Sequence, residues 1–120
     1  MRIAAAVMVT IVAAIHLYIV VLEMFLWRTP FGRRAFGTTQ QAADSSAVLA
    51  ANQGLYNGFL AAGLLWGLVG YGVVSGRPIL TFFLACVIVA GLYGGATVNR
   101  RIVLVQSLPA AVALALVWLS

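Results

Sequence analysis

Apolar residues fall in four long runs separated by short polar stretches. The first run, residues 3–27, is interrupted only by Thr10, His16, Tyr18 and Glu23, and Trp27 with Arg28 closes it as an interfacial aromatic and a charge. Residues 28–46, RTPFGRRAFGTTQQAADSS, carry three arginines, Pro30, two glycines and many hydroxyl and amide side chains, which is loop composition with room for a short interfacial helix. Asp44, Ser45 and Ser46 offer N-caps for a second helix over 47–74. Ser75, Gly76, Arg77 and Pro78 stop that helix and restart the chain in a tight turn. A third helix covers 79–98, and Asn99, Arg100 and Arg101 lead into a fourth over 102–119, with Pro109 inside it.

A hydrocarbon core of roughly 30 Å takes about 20 apolar residues of helix to cross. Each run therefore reads as one crossing, and the short connections make neighbouring helices antiparallel. The expected fold is all-α, an antiparallel four-transmembrane-helix bundle forming a single membrane domain over 1–120. Arg2 ahead of an apolar run also resembles a signal peptide, but the run continues well past a usual signal core and lacks a small-residue cleavage site.

Composition strengthens this reading. Hydrophobic residues make up 64% of the chain and mean hydropathy is +1.10, so the expected partner is the lipid bilayer and the location a cell membrane, crossed several times. A net charge of +5 would suggest nucleic acid in a soluble protein, but all seven basic residues are arginines beside apolar runs, where they set topology and meet headgroups. Arg28, Arg33, Arg34, Arg100 and Arg101 share one face against Arg2 and Arg77 on the other. That bias places the first face in the cytoplasm and both termini on the non-cytoplasmic side. A lone Cys86 in an apolar stretch allows no intrachain disulfide.

The polar residues inside the runs are unevenly placed. At about 1.5 Å per residue, His16 lies near the middle of the first helix and Glu23 about 10 Å nearer the arginine-rich face. Asn52, Gln53, Tyr56 and Asn57 lie in the first ten positions of the second helix, Tyr93, Thr97 and Asn99 at the end of the third, and Gln106 with Ser107 at the start of the fourth. All approach the same face, whereas the opposite half is almost wholly aliphatic. An unpaired polar group in hydrocarbon costs several kcal/mol, so these side chains are expected to meet. His16 and Glu23, seven apart, share a helix face but are too far apart to touch, which requires Asn57, Tyr56, Gln106, water or a ligand between or opposite them.

An ionisable side chain at membrane depth marks a functional site by default. His16 and Glu23 are accordingly the candidates for proton transfer, with Asn52, Gln53, Tyr56, Asn57, Tyr93 and Gln106 as substrate-binding candidates. The plainer alternatives are that Glu23 pairs with Arg28, Arg34 or Arg101, that His16 bridges two helices, and that the amides only hold helices together. Gly54 with Gly58 and Gly63 with Gly67 have the spacing of close helix contacts, within the chain or across a homodimer. One His and one Glu are too few for a metal site, and no cofactor motif is present.

The segments His16-Leu-Tyr-Ile, Glu23-Met-Phe-Leu-Trp27, Ala50-Ala-Asn-Gln-Gly-Leu-Tyr-Asn-Gly58 and Gln106 to Pro109 give the whole chain a resemblance to the small integral membrane proteins classed as domain of unknown function 1304. The resemblance implies four spans and carries no activity. Chemistry leaves three readings open. One is a small-molecule or proton-coupled transporter in which Glu23 exchanges a proton for substrate, in the size range of small multidrug transporters. Another is a membrane-embedded isomerase, cyclase or hydratase acting on a lipid-like substrate through His16 and Glu23. The third is an accessory subunit whose polar layer fixes helix register. The first two imply a small apolar or amphipathic ligand.

Overall fold

The computed structural model describes all 120 residues, and its regular structure is entirely helical, with no strand. Helix α1 is Arg2–Met24, α2 is Pro30–Phe36, α3 is Gln40–Ser75, α4 is Arg77–Thr97 and α5 is Leu108–Trp118, the last preceded by a π-helical segment, Val103–Ser107. Helices α1, α3 and α4 are long and apolar enough to cross a membrane. The chain forms two compact units, His16–Phe59 and the combination of Met1–Ile15 with Leu60–Ser120.

In the larger unit an aliphatic core gathers Ala5, Val9, Val12, Leu64, Leu80, Leu84, Val87, Ala110, Ala113 and Val117, all buried. Its members are small or medium-sized because the helices approach closely. A side chain at Gly63 would meet the Phe83 ring, and one at Gly67 would lie 2.9 Å from Leu80. Two of the glycines with close-contact spacing are thus spent on packing within the chain. Helices α4 and α5 run antiparallel: Trp118 Nε1 donates to Thr81 Oγ1 at 2.9 Å, while at the other end Ser107 Oγ donates to the Ile88 carbonyl at 2.9 Å. Arg77 lies 5.0 Å above the Trp118 ring and donates to the Ser120 carbonyl at 2.8 Å. The turn expected at Ser75 to Pro78 is present, and it is prepared by Gly72, whose φ of 85° and ψ of 172° interrupt α3 in a region open essentially only to glycine.

Pro109 lies in the first turn of α5. The irregularity lies just before it, where the Leu108 N–H reaches five residues back to the Val103 carbonyl and widens the turn. The widened segment rests on α4 where Gly91 leaves space for Ser107 and Gly95 for Val103.

In the smaller unit α2 is a true helix within the expected loop. Thr29 caps it, accepting from Gly32 N at 3.1 Å and donating to the Leu26 carbonyl at 2.7 Å, and Pro30 occupies its first turn. The helix sits directly on the preceding turn, because a Cβ on Gly32 would fall on the Leu26 carbonyl oxygen. Trp27 secures the arrangement, its ring 4.8 Å from Phe36 and its Nε1 donating to Ser46 Oγ at 3.1 Å.

Helix α3 starts at Gln40, seven residues before the expected start. The cap is Thr39, whose hydroxyl accepts from Ala42 N at 3.1 Å. Asp44, Ser45 and Ser46 lie inside the helix and are not its caps: both serine hydroxyls bond back to the Ala42 carbonyl, and Asp44 accepts from Gln40 Nε2 at 2.8 Å. Hydroxyls that can satisfy themselves on the preceding turn do not force a helix to begin.

Candidate functional site

The smaller unit buries three polar side chains: His16 at 1% exposure, Glu23 at 4% and Asn57 at 9%. His16 and Glu23 lie on the same helix, two turns apart, as their spacing requires. Asn57 of α3 supplies the partner for Glu23, donating from Nδ2 to Oε1 at 2.6 Å. The same amide nitrogen donates to the Gln53 carbonyl of its own helix at 3.3 Å, so both amide hydrogens are used and the side chain is held in one orientation.

Space for this contact comes from Gly54, one turn before Asn57. A Cβ there would lie 2.7 Å from Met24 Cγ and 3.0 Å from Glu23 Cβ, so any larger residue presses on the two positions that end α1. Glu23 Oε2 has no protein donor and is not sealed away from the surface. Glu23 is in turn one wall of a cleft of about 510 Å³, lined also by Met24, Phe25, Trp27, Arg28, Thr29, Ala47, Val48 and Ala51. The cleft exists because the chain leaves α1 at Met24 and is pinned by Trp27 to α3, while Ala47 and Ala51 keep the facing wall low.

Glu23 is not held by an arginine. Arg28, which shares the cleft, is exposed and makes no ion pair with it. The other candidates lie elsewhere. Asn52 and Gln53 are exposed, and Tyr56 is exposed beside Phe59, with ring centroids 6.0 Å apart. Tyr93 is 72% exposed on α4, and Gln106 is half-buried in the π-helical segment. Thr97 bonds back to the Tyr93 carbonyl, and Asn99 caps the following turn through Arg101 N.

Sequence reasoning did not single out Thr29, Ala47, Val48 or Ala51 as cleft residues. The pair Thr29-Pro30, a capping residue before a proline, was the available signal that the chain turns back into a helix at that point.

A buried carboxyl on an apolar helix, in the wall of an aromatic and basic cleft, is the polar site of the smaller unit of a small helical protein. The chain belongs to the family described as protein of unknown function (DUF1304), whose profile matches residues 10–118. It is 31% identical over 108 residues to "Uncharacterized protein YpaA" of Lactococcus lactis subsp. lactis, covering 88% of this chain and 89% of that protein. No solved structure matches it significantly.

Proposed function

We propose that the chain crosses a lipid bilayer four times as an antiparallel four-helix bundle and works as a proton-coupled transporter of a small amphipathic molecule, with Glu23 as the group that exchanges a proton for substrate. The observation that carries this reading is Glu23 itself: a carboxyl buried in an apolar helix, fixed through one oxygen by Asn57, in a residue that lines a cleft of about 510 Å³.

The distribution of apolar residues supports a lipid surrounding. Large side chains such as Val48, Val69, Phe82 and Leu104 point outward, while the buried core is rich in alanine and valine, the pattern of helices that pack through small residues in lipid. The fourth crossing is the shortest. Val103–Trp118 is an apolar helix of sixteen residues, about 24 Å long, so the bilayer thins slightly there or the flanking Arg101 and Trp118 reach outward to the interface.

A membrane-embedded enzyme using His16 and Glu23 as an acid–base pair has less support, because Glu23 lines the cleft and His16 does not. The test uses proteoliposomes with an entrapped pH dye, challenged with hexyltrimethylammonium, hexyl phosphate or hexylphosphoethanolamine. The expected result is a saturable proton flux, above that of protein-free vesicles, with at least one probe and its loss in Glu23→Gln. The proposal fails if no probe drives flux or if Glu23→Gln drives the same flux as the unaltered chain.

A further inference from the structure

The cleft combines charges of opposite sign that do not neutralise each other. Glu23 forms one wall and uses Oε1 on Asn57, and Oε2 takes no hydrogen bond from the protein. Arg28, five residues further on, is exposed and has no carboxylate partner. Asp44, the one other acidic residue of the chain, lies inside α3 and accepts from Gln40. Between the two charges the lining is aromatic and aliphatic: Met24, Phe25, Trp27 and Val48, with the Thr29 hydroxyl turned back to Leu26.

From this geometry we infer that the cleft is a binding site for a zwitterionic lipid headgroup, its ammonium on Glu23, its phosphate on Arg28 and its acyl chain against Phe25, Trp27 and Val48. The inference rests on the functional reading above and names the substrate class of the same cleft. A purely cationic ligand would satisfy Glu23 but face the Arg28 guanidinium, and a purely anionic one would satisfy Arg28 but face the carboxylate. One molecule carrying both charges meets both groups, and charge-assisted hydrogen bonds of this kind are the strong ones. Phe25, 72% exposed at the end of α1, gives the tail an apolar surface.

Binding is measured at equilibrium, without a proton gradient, by native mass spectrometry of the purified full chain in micelles. The ligands are lysophosphatidylethanolamine, which carries both charges, lysophosphatidylglycerol, which carries only the phosphate, and dodecylammonium. The zwitterion is expected to bind at least about tenfold more tightly than either singly charged ligand. Glu23→Gln should reduce its affinity to that of lysophosphatidylglycerol, and Arg28→Gln to that of dodecylammonium, while Arg2→Gln changes nothing. Arg28 is exposed, so its variant keeps the fold and the test stands even if Glu23→Gln unfolds. Equal affinity for all three ligands, or a preference that survives Arg28→Gln, overturns the inference. Equal competition by phosphoethanolamine without a tail overturns the assignment to a lipid. Binding with this pattern but no proton flux would retire the transport reading and leave the site, whereas flux without this pattern would do the reverse.

Discussion

Asn57 spends both hydrogens of its amide, one on Glu23 and one on its own helix, and Glu23 depends on it as the donor to Oε1. Removing one partner of a buried pair costs more than removing both, because the survivor stays in place without its bond. Asn57→Leu is therefore expected to destabilise the chain by about 1–3 kcal/mol, and Glu23→Leu combined with Asn57→Leu to recover most of that loss. Thermal unfolding in detergent measures both, and equal losses for single and double variants would show that the bond contributes nothing. Gly54→Ala tests the neighbouring space. Met24 is flexible and can yield, so the expected result is a small stability loss with weakened lysolipid binding as Glu23 is pushed; unchanged binding would separate Gly54 from the site. At this scale the sequence is informative about which side chains matter and weaker on their direction. Glu23 and His16 stand out as ionisable groups in apolar helices, and Asn57 is among the partners foreseen for Glu23. At about 100° per residue, however, Asn52 and Asn57 point about 140° apart, so the four polar residues of α3 cannot all face one cavity. Asn57 is buried and Asn52 is exposed.

The elements of the smaller unit are decided by capping chemistry. Thr29 and Thr39 cap α2 and α3, and Gly32 lets α2 rest on the Leu26 carbonyl. Adding one methyl group at Gly32 should separate α2 from the turn beneath it. Gly32→Ala is expected to cost about 2 kcal/mol or more, in the range of overpacking in a filled site, and to raise hydrogen exchange of residues 26–36 while the aliphatic core of the larger unit stays protected. Uniform exchange across the chain would show instead that α2 is not a separate structural element. The early start of α3 is hard to read because Thr39 stands in a polar stretch where Asp44, Ser45 and Ser46 are equally good capping types, and only the structure shows that Thr39 takes the Ala42 N–H. Apolar length fixed the long helices well, since length in α1, α3 and α4 is nearly all the information a membrane span needs. The π-helical segment before Pro109 was not legible, because it follows from α4 glycines that let Ser107 and Val103 come close.

For the whole molecule, the proposed topology follows from five arginines at one set of helix ends and two at the other. Helices α4 and α5 constrain part of it: Ser120 lies beside Arg77 at the start of α4, and Asn99 follows the end of α4. If α5 completes a crossing, Ser120 and Ser75 face one side of the membrane, and Asn99 and Ala35 face the other. Single cysteines at these four positions, in a Cys86→Ala background, report the arrangement through an impermeant maleimide. Intact cells should label Ser75→Cys and Ser120→Cys, whereas Ala35→Cys and Asn99→Cys should react only after permeabilisation. The exact inverse would keep four crossings and reverse the orientation, which would move the Glu23 cleft to the outer leaflet. Labelling of Asn99→Cys together with Ser120→Cys in intact cells would mean that the sixteen-residue helix does not cross, and a carrier built from three spans would have to close its substrate path with a second copy of the chain. Whether Asn99 and Ser120 react from opposite sides therefore decides the number of crossings, and through it whether a single chain is enough for transport.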